Sequence, residues 1–365
     1  GALLHQNHVV EVVKVPTDHT DLVGSTTAAV EKLLRFCPQG SEIELQLSTT
    51  LTTNTIVEGK GTPTAVLVIP GPGLDLEQYG LDFPLHVLAG YVDHRGRIVG
   101  EVDLDKALLE AEKARQSGAE ALAVVGKFSQ RNPNLEKKVA QAVERADFGF
   151  SHITMGHQMA GSLGFPRRVV TAYLNSQVAG TQARFAEAVA SLGRFRRIRI
   201  LKADGGTMTS EQSRLHPVET ILSGPAASLM AALALTKYPQ KNLVVVDIGG
   251  TTTDLAVVVE GLPVYARDGA VISGYLTAVP AVFSRSIGLG GDSAVHMVAD
   301  STDGAQFRIG PNRAGRPACL GGSAATPTDA LVALGSTALG EQSRSIAVMR
   351  DLGEKVGLGW QEAAH

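Results

Sequence analysis

Hydrophobic and polar positions along the chain fall into two alternating periods. In residues 21–36, Leu22, Thr26, Ala29, Val30, Leu33 and Leu34 recur at helical spacing and share one face. Residues 105–117 and 134–144 also read as helices. The first consists of good helix formers and is closed by Gly118; the second begins after Pro133. Short apolar runs separate these patterns at residues 42–47, 64–69, 121–126, 152–155 and 198–202, and each reads as a strand. Helix–strand alternation of this kind predicts a mixed, largely parallel sheet with covering helices. The longest helical pattern, residues 166–192, is expected either to cross between two domains or to close the first. A final helical pattern covers residues 345–356.

The clearest strand pattern lies further on. A β-branched run, Leu243 to Ile248, carries one carboxylate, Asp247. A turn follows, Gly249-Gly250-Thr251-Thr252-Thr253, then Asp254 and a second run at residues 255–259. A Glu260-Gly261 turn and a third short strand at 262–265 complete it. The glycine-threonine turn is thus predicted to join two strands, not a strand and a helix. Glycines bring backbone N–H groups close to a phosphate, threonine hydroxyls add donors, and Asp247 can hold a hydrated Mg²⁺. The alternative is an ordinary hairpin turn with threonines chosen for β propensity. Residues 2–4, a polar turn at 5–8 and residues 9–15 repeat the strand–turn–strand pattern at the start of the chain.

Composition narrows the classes. A length of 365 residues suits two or three domains. A net charge of −3 leaves no nucleic-acid footprint and no polybasic membrane patch. The local cluster Arg194, Arg196, Arg197 and Arg199 reads as a solvated strand edge. Two cysteines, Cys37 and Cys319, cannot build a disulfide framework or a zinc site. No apolar run approaches the ~18 residues of a membrane span, so a cytoplasmic location is expected. The hydroxyl-rich stretch 48–54 is either a helix cap region or a substrate or phosphate loop.

Residues 247–254 resemble the phosphate loop of the acetate kinase, sugar kinase, heat-shock protein and actin superfamily. A narrower resemblance runs through the chain in order: Thr49-Thr-Leu-Thr-Thr-Asn54, Gly164-Phe-Pro-Arg-Arg168, Thr171-Ala-Tyr-Leu-Asn175, Ala203-Asp-Gly-Gly-Thr-Met208, residues 217–227, residues 247–254, Ile287-Gly-Leu-Gly-Gly-Asp-Ser293 and Thr326-Pro-Thr-Asp-Ala-Leu331. Together they are similar to the hydantoinase A/oxoprolinase family. The resemblance implies an α/β, two-domain actin-like ATPase (ribonuclease H-like) architecture with a central cleft. It divides the chain into a first domain at 1–200 and a second at 201–365 carrying the 247–254 loop. It also implies truncation at both ends, because the family's first phosphate loop would precede Gly1. A further glycine-rich nucleotide motif either lies past His365 or has its part taken by residues 288–291.

The activity the resemblance implies is ATP-dependent opening of a cyclic amide of the hydantoin, N-methylhydantoin or 5-oxoproline type, through phosphorylation of the lactam oxygen. The cofactors are then ATP and Mg²⁺. The partner is a hydantoinase B-like subunit, in a hetero-oligomer or homodimer. Asp247 and Asp254 become the catalytic acids, with Asp247 ordering the metal. Gly249, Gly250, Thr251, Thr252, Gly290 and Gly291 become cofactor-binding residues, as do Asp204, Gly205 and Gly206, which face the cleft. Two other readings are a small-molecule kinase and a non-enzymatic actin- or chaperone-like ATPase. A metal-dependent amidohydrolase is disfavoured because His152 and His157 lack acid or histidine partners at helical ligand spacing, which makes them structural histidines.

Overall fold

A computed structural model of the 365-residue chain describes residues 1–6, 8–15, 18, 21–159, 163–193, 195–238, 240–298, 306–313 and 315–365. The chain forms two compact units, Gly1–Met230 with Tyr265–Val282, and Ala231–Val264 with Phe283–His365.

The first unit is built on a four-stranded sheet in the order Leu85–Val87, Thr64–Ile69, Ala121–Gly126, Ile153–Met155, with every pair parallel. Every residue of the two central strands is buried. That explains their unbroken apolar runs, since a parallel sheet is covered on both faces. Ala65, Leu67, Leu122 and Val124 pack against Ala107, Ala111, Val139 and Val143 of helices Leu104–Gln116 and Asn134–Ala146. Val66, Val68, Ala123 and Val125 face the other way, onto Val169, Val170 and Leu174 of helix Phe165–Ser191.

This 27-residue helix lies wholly within the first unit. Its C-terminal half serves a second sheet, in the order Thr207–Thr209, Phe195–Leu201, Ile43–Leu47. There Phe185 and Val189 pack with Val30, Leu47, Ile200 and Met208. Serving two sheets requires apolar positions around much of the helix, so the sequence shows length more clearly than a single stripe. The arginines expected on a strand edge instead lie on the middle strand of this sheet. Arg196 pairs with Glu42, just before strand Ile43–Leu47, at 2.7 Å, and Arg197 with Glu44 on that strand at 3.7 Å; Arg194 lies outside the described residues. Cross-strand pairing is what fixes these charges. Ala2–His5 and His8–Val12 form the expected hairpin, whose turn includes Asn7, outside the described residues.

The second unit holds the glycine-threonine hairpin. Leu243–Ile248 runs antiparallel to Thr253–Val259, which also pairs with Leu262–Pro263 and Ser284–Ile287. A strand, not a helix, follows the turn. A further antiparallel pair, Ser293–Val298 and Gln306–Arg313, leads to helices Pro327–Ala333, Gln342–Glu354 and Trp360–Ala364. Ala325, Ala333, Met349 and Leu352 form a core there, with Trp360 against it. The Thr-Pro-Thr-Asp sequence starts a helix: Thr326 caps it, accepting from the Asp329 N–H at 3.2 Å. Asp329 is fully buried and accepts from the N–H groups of Ala318 and Cys319 and the hydroxyls of Thr326 and Ser345, all within 2.9 Å. Four donors offset the cost of burying that carboxylate.

Candidate functional site

The turn between Ile248 and Thr253 is closed by one internal bond, from the Gly249 N–H to the Thr252 carbonyl at 2.9 Å. Its outward carbonyls are taken by a second glycine loop. The Gly291 N–H donates to the Gly249 carbonyl at 2.9 Å, and the Asp292 N–H donates to the Gly250 carbonyl at 2.7 Å. A peptide unit is planar and trans, so its N–H points opposite to its C=O. Tethering the Gly249 and Gly250 carbonyls therefore aims the N–H groups of Gly250 and Thr251 away from the seam. Among the described residues neither of these N–H groups has an acceptor. Two adjacent N–H groups presented this way make an anion-binding concavity.

The seam also accounts for a glycine the sequence could only count. A Cβ on Gly290 would lie 2.6 Å from the Gly250 carbonyl carbon, and one on Gly291 would lie 2.7 Å from the Thr328 hydroxyl. The second loop is fastened in turn. The Gly290 N–H donates to the Ser293 hydroxyl at 2.9 Å, the Thr328 N–H to the Gly291 carbonyl at 2.8 Å, and Arg313 to the Asp292 carboxylate at 2.8 Å. On the hairpin side, the Thr253 hydroxyl donates to the Leu289 carbonyl at 2.6 Å. So Gly249, Gly250, Gly290 and Gly291, named separately from the sequence, form one structure. Thr251 is exposed and Thr252 half-buried; among the described residues neither hydroxyl has a partner.

Asp247 and Asp254 stand directly opposite each other in the ladder, with Ser286 next in the row beyond Asp254. Opposed residues project from the same face with Cβ atoms about 4.5–5.5 Å apart, and like charges so placed repel. Asp247 is exposed and Asp254 half-buried. Among the described residues no group of three or more His, Cys, Asp or Glu side chains is placed to hold a metal. A two-carboxylate site suits Mg²⁺, which keeps several waters and shares its coordination with phosphate oxygens.

The other glycine turn, Asp204-Gly205-Gly206, belongs to the first unit and links Phe195–Leu201 to Thr207–Thr209. Its acid is already employed. Asp204 accepts from the Gly206 N–H at 2.8 Å and from Lys202 at 3.1 Å. Lys202 also pairs with Glu219 at 3.0 Å. Burial pulls the Lys202 ammonium down, but its bonds to Glu219 and Asp204 outweigh that and hold it above the ordinary lysine value. The turn lines a cavity of about 660 Å³ with Met230, Arg267 and Pro280.

The hydroxyl-rich stretch resolves as a helix start. Helix Leu51–Val57 follows Thr50, buried Thr52 bonds Thr220 at 2.8 Å, and Thr53 accepts from the Leu222 N–H at 3.2 Å. His152 is structural, its imidazole pushed down by burial. His157 is different. Sequence reasoning found it no partner, yet its Nδ1 lies 2.6 Å from the buried Glu136 carboxylate, 21 residues earlier. Helix spacing could not reveal this pair. The available signal was a histidine just past the carboxyl end of a strand.

Models of two parts of one family match the chain. The hydantoinase/oxoprolinase N-terminal region matches residues 2–146, and hydantoinase/oxoprolinase matches residues 167–341. The chain is similar to the caprolactamase alpha subunit of Pseudomonas jessenii, 26% identical over 94% of this chain and 53% of that one. It is also similar to the acetophenone carboxylase gamma subunit of Aromatoleum aromaticum, 28% identical over 67% of this chain and 35% of that one. Among solved structures, ATP-dependent caprolactamase from Pseudomonas jessenii superposes with a TM-score of 0.72 at 22% identity, over 100% of this chain and 58% of that one. Nucleotide-free acetone carboxylase gives 0.72 at 19% identity, over 98% and 57%. These likenesses show that the chain has the α/β fold of those two structures. The chain spans about half, or less, of the length of the relatives it matches. With both family models in register along it, the chain belongs to the hydantoinase/oxoprolinase family.

Proposed function

We propose that this chain supplies the nucleotide-phosphate site of an enzyme that opens a cyclic amide with the use of ATP. The observation that carries the reading is the pair of outward N–H groups at Gly250 and Thr251, fixed by the seam to Gly291 and Asp292. In this reading those N–H groups and the hydroxyls of Thr251 and Thr252 bind phosphate oxygens. Gly290 and Gly291 contribute by holding the turn. Asp247 would hold hydrated Mg²⁺, with Asp254 beside it. When bound, Mg²⁺ neutralises charge on the β- and γ-phosphates. What the residues supply is positioning and charge stabilisation, which is most of what phosphoryl transfer requires.

The substrate class follows from the family and from the caprolactamase relative: a ring amide such as hydantoin, N-methylhydantoin or 5-oxoproline. Amide hydrolysis is slow because the carbonyl is resonance-stabilised, and phosphorylating its oxygen makes that oxygen a leaving group. The whole enzyme would include a B-like partner, since two relatives are named as subunits. A cytoplasmic location is part of the proposal; among the described residues no helix is long and apolar enough to cross a membrane. A second reading, ATP-dependent activation of a ketone for carboxylation, is favoured by the 28% identity to the acetophenone carboxylase subunit.

Product analysis on the full-length protein with its partner separates them. Ring-opened product with ADP and phosphate in one-to-one ratio supports the first reading. A carboxylated ketone, formed only with bicarbonate present, supports the second. A stable phosphate ester would overturn both.

A further inference from the structure

The Glu136–His157 pair lies where parallel sheets commonly bind ligands, just beyond the carboxyl ends of the strands. His157 follows strand Ile153–Met155, and Gly126, which ends the adjacent central strand, donates its N–H to Glu136 at 2.6 Å. The Glu136 side chain is fully buried. Its other oxygen accepts from both the backbone N–H and the Nδ1–H of His157, at 2.9 and 2.6 Å. Arg168, also fully buried, donates to the Gly126 carbonyl at 2.6 Å and supplies the opposite charge beside Glu136. Gly156 leaves no slack, because a Cβ there would come within 2.5 Å of Val125 and 3.0 Å of the Glu136 carboxylate.

A carboxylate only accepts, so Nδ1 donates to Glu136, and in the neutral ring Nε2 carries the lone pair. Among the described residues Nε2 has no partner. His157 lines a cavity of about 690 Å³ in the first unit, with Arg167, Glu219, Arg267 and Asp268. Arg167 is engaged with the Asp268 and Thr277 carbonyls, and Glu219 with Lys202. Among the described residues the Arg267 guanidinium has no partner. The walls therefore offer both donors and acceptors with nearly balanced charge. That suits an uncharged solute with an N–H beside a C=O better than an anion.

We propose that this cavity binds the ring amide, and that His157 Nε2 accepts a hydrogen bond from its N–H. This rests on the function proposed above. Arg267 donates to the amide oxygen. Glu136 is a positioning residue that fixes the tautomer and ring orientation, as the acid of a carboxylate–histidine pair does.

The test uses the full-length protein and two uncharged probes, hydantoin and ε-caprolactam, titrated calorimetrically without nucleotide. At least one probe binds wild type. His157→Ala and Arg267→Ala each weaken that binding about tenfold, the equivalent of one lost hydrogen bond. In ring-amide-stimulated ATP hydrolysis, His157→Ala and Arg267→Ala raise KM for the ring amide and leave KM for ATP unchanged, and Glu136→Gln, whose amide oxygen can still hold Nδ1, keeps more of the probe affinity than Glu136→Ala. If neither probe binds wild type, or both substitutions leave affinity unchanged, the assignment is overturned. Probe binding that needs His157 and Arg267, but stimulates no ATP hydrolysis, supports the cavity while sinking the ATP-dependent reading.

Discussion

Two turns with adjacent glycines and a preceding aspartate, Asp204-Gly205-Gly206 and Gly249–Thr252, do opposite things. In Asp204-Gly205-Gly206 the carboxylate folds back on the turn and is held by Gly206 and Lys202. In Gly249–Thr252 the backbone carbonyls are taken by a neighbouring loop, two N–H groups face outward, and a pair of carboxylates flanks the base. Both turns carry an internal bond, but the first binds its own acid, whereas the second leaves two N–H groups facing outward. What separates them is the partner of each polar group, not the order of residues. At Asp204 the turn and Lys202 already hold the carboxylate.

Breaking the seam should produce the largest effect. Gly290→Val sets a branched side chain against the Gly250 carbonyl, where even a Cβ would sit at 2.6 Å. Nucleotide binding should be lost, and the protein destabilised by about 1–3 kcal/mol, the usual cost of overpacking. Calorimetric titration and thermal melts would show both. Gly205→Ala should damage only the fold. Gly205 has φ +82°, and a Cβ would come within 2.9 Å of the Met230 sulfur. A penalty of about 1–2 kcal/mol follows from the left-handed backbone. It should appear in the melt, with nucleotide affinity per folded molecule unchanged. If Gly205→Ala instead weakened nucleotide binding as much as Gly290→Val, the contrast between the turns would fail.

The smallest effect concerns pH. Lys202 is held above the ordinary lysine value, so its stabilising contribution is fully present below pH 10.5. That contribution fades as pH rises through the higher folded value. Lys202→Met should therefore flatten the fall in melting temperature above pH 10.5 and leave the slope below pH 9 unchanged. An identical alkaline slope in the variant would detach Lys202 from the stability of the Asp204 turn.

Much of the fold could be read because its signals are local. Residues 64–69 and 121–126 announce buried parallel strands by being apolar throughout, and both match the observed strands at each end. The glycine-threonine hairpin was legible because β-branched runs flank its turn on both sides. Strand order was not, so the arginines of Phe195–Leu201 were expected on an edge although that strand lies between two others. The site was legible as letters but not as connections. Nothing local says that Gly290 must be glycine because of Gly250, 40 residues earlier, or that Glu136 reaches His157. Those pairings exist only once the sheets bring distant segments together.

The central claim is that Asp247 acts on the nucleotide while Asp204 serves the fold. It is tested by comparing Asp247→Asn and Asp204→Asn in the full-length protein with its partner. Steady-state ATP hydrolysis with a cyclic amide and the melting temperature would be measured for each. Asn keeps the shape of Asp but loses the charge facing metal and phosphate. Asp247→Asn should lower the rate on the order of 10²-fold, by analogy with losing one transition-state charge contact, at an unchanged melting temperature. Asp204→Asn should lower the melting temperature and leave the rate within about twofold. An unchanged rate in Asp247→Asn, or an equal loss of rate in Asp204→Asn at an unchanged melting temperature, would contradict the account.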